Sequence, residues 1–210
     1  QRISLTGDFT KKENLIKNVL KKDMENINKT IDELDYEKIK QAIGVITNAD
    51  RVYILGLRSS AFLAGYLGFY LSFILDDVKV LTPSANDVLE QLLKVTDKDV
   101  TIGISYPRYS NRTIEALRYA KEKRCKIVGI TDSLLSPAAQ ISDYTLIGSS
   151  NMVSFVDSLV APMSLINALI IGIGMNKKED ITHYFEDLES IWKKYSVYNV
   201  KNTDVENFNK

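Results

Sequence analysis

Cysteine and histidine are nearly missing from this chain of 210 residues, which has one of each, Cys125 and His183. A single cysteine excludes an internal disulfide and any multi-cysteine metal centre, and it fits a reducing cytoplasm. Neither sign of charge is in excess: 27 basic residues face 27 acidic ones. Nothing therefore marks a general polyanion-binding surface, and this chain by itself is not expected to grip DNA. No signal-peptide pattern is present, and no apolar run is long and uninterrupted enough to demand a membrane. The longest, Leu159 to Met175, contains Pro162, Ser164, Asn167 and glycines, and reads as a buried core helix. Two nucleotide signatures are missing as well. No G-K-[ST] follows a glycine-rich turn, and no G-x-G-x-x-G follows the first strand candidate. No internal repeat, low-complexity tract or second core is visible.

What is present is the length and apolar content of one α/β domain. Leu15, Ile16, Val19, Leu20, Ile27, Ile31 and Leu34 fall on one face of a long amphipathic helix, about 11–34. A second helix, 36–47, turns Ile39, Ile43 and Ile46 inward. Strands are then expected at 51–55, 78–81, 100–104, 126–130 and 144–147, short and apolar as in a sheet buried on both faces. Helices fill the gaps at about 60–75, 85–94, 111–123, 137–141 and 155–173. A last amphipathic helix, 178–195, carries Ile181, Tyr184, Phe185, Leu188, Ile191 and Trp192. Residues 1–37 form a linker remnant and long first helix, 38–198 the domain, and 199–210 a flexible tail. The start at Gln1, with a linker-like stretch to Thr10, reads as a piece of a longer protein.

In open parallel sheets ligands bind beyond the carboxyl ends of the strands, where strand order reverses. Two loops there share a character. The first is Gly56-Leu57-Arg58-Ser59-Ser60; the second runs from Ser105 through Tyr106, Pro107, Arg108, Tyr109 and Ser110 to Thr113. Each leads from a strand into a helix, whose first N–H groups have no intrahelical partner and whose dipole places positive charge there. Hydroxyls at such a place cap the helix, bind an anion, or do both. Neutral hydroxyls with backbone N–H groups suit a small phosphate monoester better than a triphosphate with its metal. After the fourth strand candidate comes Thr131-Asp132-Ser133, then Ser136-Pro137, with proline placed for a first helical turn.

From about Ile39 to Met175 the chain resembles a sugar isomerase (SIS) domain, the phosphosugar-binding module of aminosugar synthases, phosphosugar isomerases and some bacterial regulators. The family's first loop reads G-x-G-S-S: Gly56, Ser59 and Ser60 match, and Arg58 replaces the second glycine. Its second loop reads I-S-x-S-G-x-T-x-x-T, followed by a helix with E-A. Ile104, Ser105, Ser110 (serine for threonine), Thr113, Glu115 and Ala116 match, while Pro107 and Arg108 stand where the family mostly has serine and glycine. The P-R-Y-S of Pro107 to Ser110 and the I-T-D-S-L-L-S-P of Ile130 to Pro137 are most similar to the C-terminal effector domain of RpiR-type transcriptional regulators.

The resemblance implies a phosphosugar-sensing effector domain, with DNA reached only through an N-terminal helix-turn-helix part that this chain lacks. The alternative is an aldose-ketose phosphosugar isomerase, with Glu90 or Glu115 and His183 as its acid/base pair. Against a role in capping, Ser59, Ser60, Ser105, Arg108, Ser110 and Thr113 are the expected ligand-binding residues, for a phosphorylated sugar or sugar acid. Arg58 and Arg108 either add charge-assisted contacts or mark a degenerate site. Tyr106 and Tyr109 stack on a sugar or wall the pocket; Asp157 meets a sugar hydroxyl or caps its helix; Cys125 is a small buried filler. No catalytic residue, cofactor or metal is expected. The long apolar stripes on the first and last helices point to a homo-oligomer, a dimer or dimer of dimers. The expected architecture is a three-layer α/β sandwich around a five-stranded parallel sheet of flavodoxin-like order 2-1-3-4-5, plus the long N-terminal helix and the C-terminal helix.

Overall fold

Alternation along the strands decides the layers. In the computed structural model, which describes residues 12–83, 86–152 and 155–197, the strands are β1 (Val52–Gly56), β2 (Val78–Leu81), β3 (Val100–Ile104), β4 (Lys126–Thr131) and β5 (Tyr144–Ile147). Their order is β2-β1-β3-β4-β5 and every neighbouring pair is parallel, the expected flavodoxin-like arrangement. Ile54 stands opposite Ile102, and Ile102 opposite Val128. All three point to one face, where Ile46 of α2 (Tyr36–Thr47), Leu67 of α3 (Ser60–Leu71) and Ile166 of α7 (Val160–Asn176) cover them. Tyr53, Leu55 and Ile127 point the other way, toward Val88 of α4 (Val88–Gln91), Leu117 of α5 (Asn111–Glu122) and Ala138 of α6 (Pro137–Ile141). Burying each such aliphatic side chain contributes about 1.5–3 kcal/mol relative to exposure, so the two layers hold the sheet from both sides.

Three helices differ from their sequence expectation, each for a local reason. α7 begins at Val160 rather than at 155, because Pro162 has no N–H and is tolerated only in a first turn. α3 stops at Leu71: the Ser72 hydroxyl donates to the Phe69 carbonyl at 2.7 Å and competes with the helical ladder. α4 is a single turn capped by Asp87, and the chain after it closes tighter i→i−3 turns at Leu92 and Val95.

α1 (Lys12–Asp32) and α8 (Lys178–Tyr195) flank this sandwich. α8 stacks Tyr184 on Phe73 at 5.7 Å between ring centroids, and Tyr184 lines a cavity with Asp50, Asp76 and Asp77 at the amino ends of the strands. The stripe on α1 does not face the core: Ile16, Leu20 and Ile31 are exposed. Its buried side chains are Asn26 and Thr30 instead. Among the described residues no helix is long and apolar enough to cross a membrane. The linker remnant at 1–10 and the tail at 199–210 lie outside the described residues.

Candidate functional site

Strand order reverses between β1 and β3, so the loops that follow them diverge from one crevice. The first loop turns directly beneath α3. A Cβ on Gly56 would lie 2.5 Å from the Ser60 carbonyl oxygen, so only glycine lets strand and helix approach this closely. Arg58 then takes a left-handed backbone, φ 58°. Ser59 occupies the N-cap position of α3 but is helical itself (φ −61°, ψ −31°) and caps nothing. Its hydroxyl donates instead to Asp157 Oδ2 at 3.2 Å.

The second loop repeats the design. The Ser105 N–H donates to the Ile130 carbonyl at 3.0 Å, holding the exit of β3 against β4. Arg108 again has φ 58°, and Ser110 caps α5, accepting from the Thr113 N–H at 3.4 Å. An L-residue in the left-handed region costs roughly 1–2 kcal/mol, so two arginines at such positions are a concession that glycine would avoid. The Tyr109 hydroxyl donates to Asp132 at 3.0 Å. Burial first, and the Asp132 carboxylate second, push that phenol up to about 12. The same two causes raise the Tyr106 hydroxyl well above the ordinary phenol value. Both tyrosines thus remain protonated donors at neutral pH.

The two loops form a narrow cleft lined by Ser59, Ser60, Ser105, Arg108, Ser110 and Thr113, with Arg58, Tyr106 and Asp157 also on its walls. All six sequence candidates therefore come together in space. Their burial differs sharply. Ser105 and Thr113 are 3% and 1% exposed, and their hydroxyls, like that of Tyr106, have no hydrogen-bond partner among the described residues. Leaving a buried hydroxyl unsatisfied costs about 1–3 kcal/mol, and two in one cleft at two helix N-termini suit an acceptor-rich anion. The guanidinium groups of Arg58 and Arg108 are exposed at the mouth, where either can swing onto such an anion as a forked, charge-assisted donor.

The isomerase candidates do not converge on this cleft. Glu90 lines a separate cavity at the β2 edge, and Glu115 accepts from Arg112 at 2.9 Å on the outer face of α5. His183 lies in α8; its side chain is outside the described residues, and its neighbour Tyr184 sits at the opposite end of the strands. Asp157 does not cap α7, whose N-cap is Leu159.

Beside the cleft, and sharing Pro107 and Asp157 with it, a larger cavity opens under α1, lined among others by Lys29, Glu33, Asp132 and Asn151. Of those four, the sequence points only to Asp132, through the Thr131-Asp132-Ser133 that ends the fourth strand. Lys29 and Glu33 look like the solvated face of an amphipathic helix; the one available signal was Asn26 and Thr30, four apart, where weak helix formers interrupt it.

A doubly wound parallel sheet with a hydroxyl-lined cleft at its switch point is the architecture of a small-molecule binding module. The model of the SIS domain family matches residues 45–172, and the chain belongs to that family. Over 84% of its length it superposes on the sugar isomerase domain of an RpiR transcription factor from Sphaerobacter thermophilus, with a TM-score of 0.80, 30% identity and 98% of that chain covered. An uncharacterized HTH-type transcriptional regulator of Caldanaerobacter subterraneus, TTE0211, is 24% identical over 91% of this chain and 70% of its own. Another from Haemophilus influenzae is 30% identical over 58% of this chain and 42% of its own. The chain thus spans only part of the regulators it matches.

Proposed function

We propose that this chain is the phosphosugar-binding effector part of a helix-turn-helix transcriptional regulator, and that it is not an enzyme. The observation that carries the binding role is the pair of buried, unpartnered hydroxyls, Ser105 and Thr113, beneath two left-handed arginines. A phosphate ester supplies the acceptors those hydroxyls lack, at the amino ends of α3 and α5 where the helix dipoles favour negative charge. Ser110, Ser60 and Arg108 complete the ring around it, and Ser59 joins by turning its hydroxyl from Asp157. The regulator role rests on the relatives, which are HTH-type regulators. DNA contact then belongs to a part outside this chain, as the equal numbers of acidic and basic residues accord with.

Self-association belongs to the same proposal. Its support is the large apolar surface left exposed in the single chain: Ile16 and Leu20 on α1, and Phe62 and Phe69 on the outer face of α3, at 75% and 57% exposure for the phenylalanines.

Thermal-shift titration tests the binding role. Hexose and pentose phosphates should raise the melting temperature with concentration as linkage requires, and replacing Ser110 and Thr113 by alanine should abolish the rise. Silence toward every phosphosugar would overturn it. Incubation with aldose and ketose phosphates separates sensor from isomerase: saturable binding without interconversion supports the sensor, and turnover supports the enzyme.

A further inference from the structure

The larger cavity under α1 has no part in holding a phosphate, yet it opens directly from the cleft that would. We propose that this cavity receives the carbon end of the phosphosugar and selects for hydroxyl- or amine-bearing ends over carboxylate-bearing ones, with Glu33 and Asp132 as the specificity-determining residues. The inference rests on the phosphosugar reading of the adjoining cleft and names the ligand class within it.

Three observations support it. First, the two spaces are contiguous, since Pro107 and Asp157 line both. A ligand anchored by its phosphate on Ser105 and Thr113, whose hydroxyls are buried and unpartnered, has its other end directed past Asp157.

Second, the far wall is fixed in place. Asn26, 0% exposed, donates Nδ2–H to the Asn151 carbonyl at 2.9 Å. Its Oδ1 accepts from the Asn151 N–H at 3.1 Å and from the Ser149 hydroxyl at 3.1 Å. Thr30 accepts from the Ser149 N–H at 2.9 Å. Lys29 and Glu33, three residues on either side of these contacts or fewer, are therefore presented to the cavity by a wall pinned to the loop after β5.

Third, the charges on this wall have one dominant sign. Lys29 stands 3.7 Å from Glu33 and offsets that carboxylate. Among the described residues Asp132 accepts from neutral groups, the Tyr109 hydroxyl at 3.0 Å and the Thr131 hydroxyl at 3.2 Å, so no cation there offsets its charge. Carboxylates accept from sugar hydroxyls and attract an ammonium group. A second carboxylate brought beside Asp132 is repelled. The cationic side of the site, Arg58 and Arg108, lies at the phosphate end. The combined site is therefore polar along its length, positive at the phosphate and negative at the carbon end, and a phosphorylated sugar acid presents the wrong sign at that end.

The test compares three 6-phosphate esters of a six-carbon skeleton on the purified chain by isothermal titration at low salt: glucosamine 6-phosphate, glucose 6-phosphate and the open-chain acid 6-phosphogluconate, whose difference in shape salt and the charge-removing variants leave unchanged. The amine and the neutral sugar should bind at least roughly tenfold tighter than the acid, and the gap should narrow in high salt. Asp132→Asn should shrink the gap chiefly by improving the acid. Glu33→Gln, on a half-exposed side chain, should shift it the same way and guards against a folding defect in the first variant. Equal binding of acid and amine, or a gap unchanged in both variants, would overturn this inference while leaving phosphosugar binding intact. If none of the three esters binds, the phosphosugar reading falls, and this one with it.

Discussion

Arg58 and Arg108 share one backbone state, φ 58° in each, at corresponding places in two loops that leave neighbouring strands. The coincidence has a steric meaning. Each loop must reverse from strand to helix within a few residues, and the left-handed step accomplishes it; glycine would do so without strain. Keeping arginine there trades backbone comfort for a positive charge at the mouth of the cleft.

Arg108→Gly should therefore make the free protein more stable, by about 0.5–1 kcal/mol, as left-handed strain of roughly 1–2 kcal/mol is relieved against some loss to chain entropy. The same change should weaken phosphosugar binding roughly tenfold, through loss of a charge-assisted contact. Urea denaturation measures the first effect and titration calorimetry the second. Arg108→Ala keeps the strain, so it should lose affinity with no gain in stability.

Thr113→Val should separate stability from binding more sharply. The hydroxyl it removes is buried and unpartnered, so the unliganded melting temperature should hold steady or rise. Stabilisation by phosphosugar should disappear. A variant that melts much lower without ligand would show that this hydroxyl is satisfied in the free protein.

Asp143 ties the end of α6 to β4: it accepts from the Ile127 N–H at 2.8 Å and from Lys121 at 2.6 Å. Partial burial works to raise its pKa, but Lys121 and the Ile127 N–H outweigh it and hold the carboxyl below the ordinary carboxylate value. A depressed carboxylate contributes stability that is present above its unfolded pKa and lost as pH falls through the folded one. Wild type and Asp143→Asn should therefore differ most near neutral pH and converge as pH falls below the ordinary aspartate range. Denaturant melts across that range check it.

Cys125 is buried, and its thiol is pushed up to about 11, first by burial. Since the thiolate is the reactive form, the folded protein should resist alkylation at pH 8 and label readily once unfolded in guanidinium. Mass spectrometry of the labelled chain reads the result.

The strands were legible in the sequence because Val100 to Ile104 and its four counterparts are short apolar segments that the helical periods on either side set apart. Their boundaries hold to within one residue. The cleft was legible in part. Gly56, the serines and Thr113 carry a recognisable spacing, and all six candidates meet around one space. Their individual roles were not readable from spacing. Ser110 does cap its helix, whereas Ser59 leaves its own uncapped for Asp157, a residue 98 positions away. Such a contact has no local pattern. The buried face of α1 was not legible for a related reason: the apolar stripe is the conspicuous pattern and stays exposed, whereas the helix turns Asn26 and Thr30 inward, because the groups awaiting it on the loop after β5 are polar.

That inversion gives α1 an unusual anchorage. Oil-like surfaces tolerate sliding, since contact energy changes little with small displacements. Hydrogen bonds are directional, and those joining Asn26 and Thr30 to Ser149 and Asn151, with Asp23 accepting from Ser158 at 2.6 Å, fit one rotational setting alone. Turning α1 by a single residue step, about 100°, breaks the whole set together. The helix is keyed rather than glued. The orientation of α1 is accordingly set by the residues beside Asp157, and a displacement of Ser149, Asn151 and Ser158 would reach the helix as a rotation about its own axis.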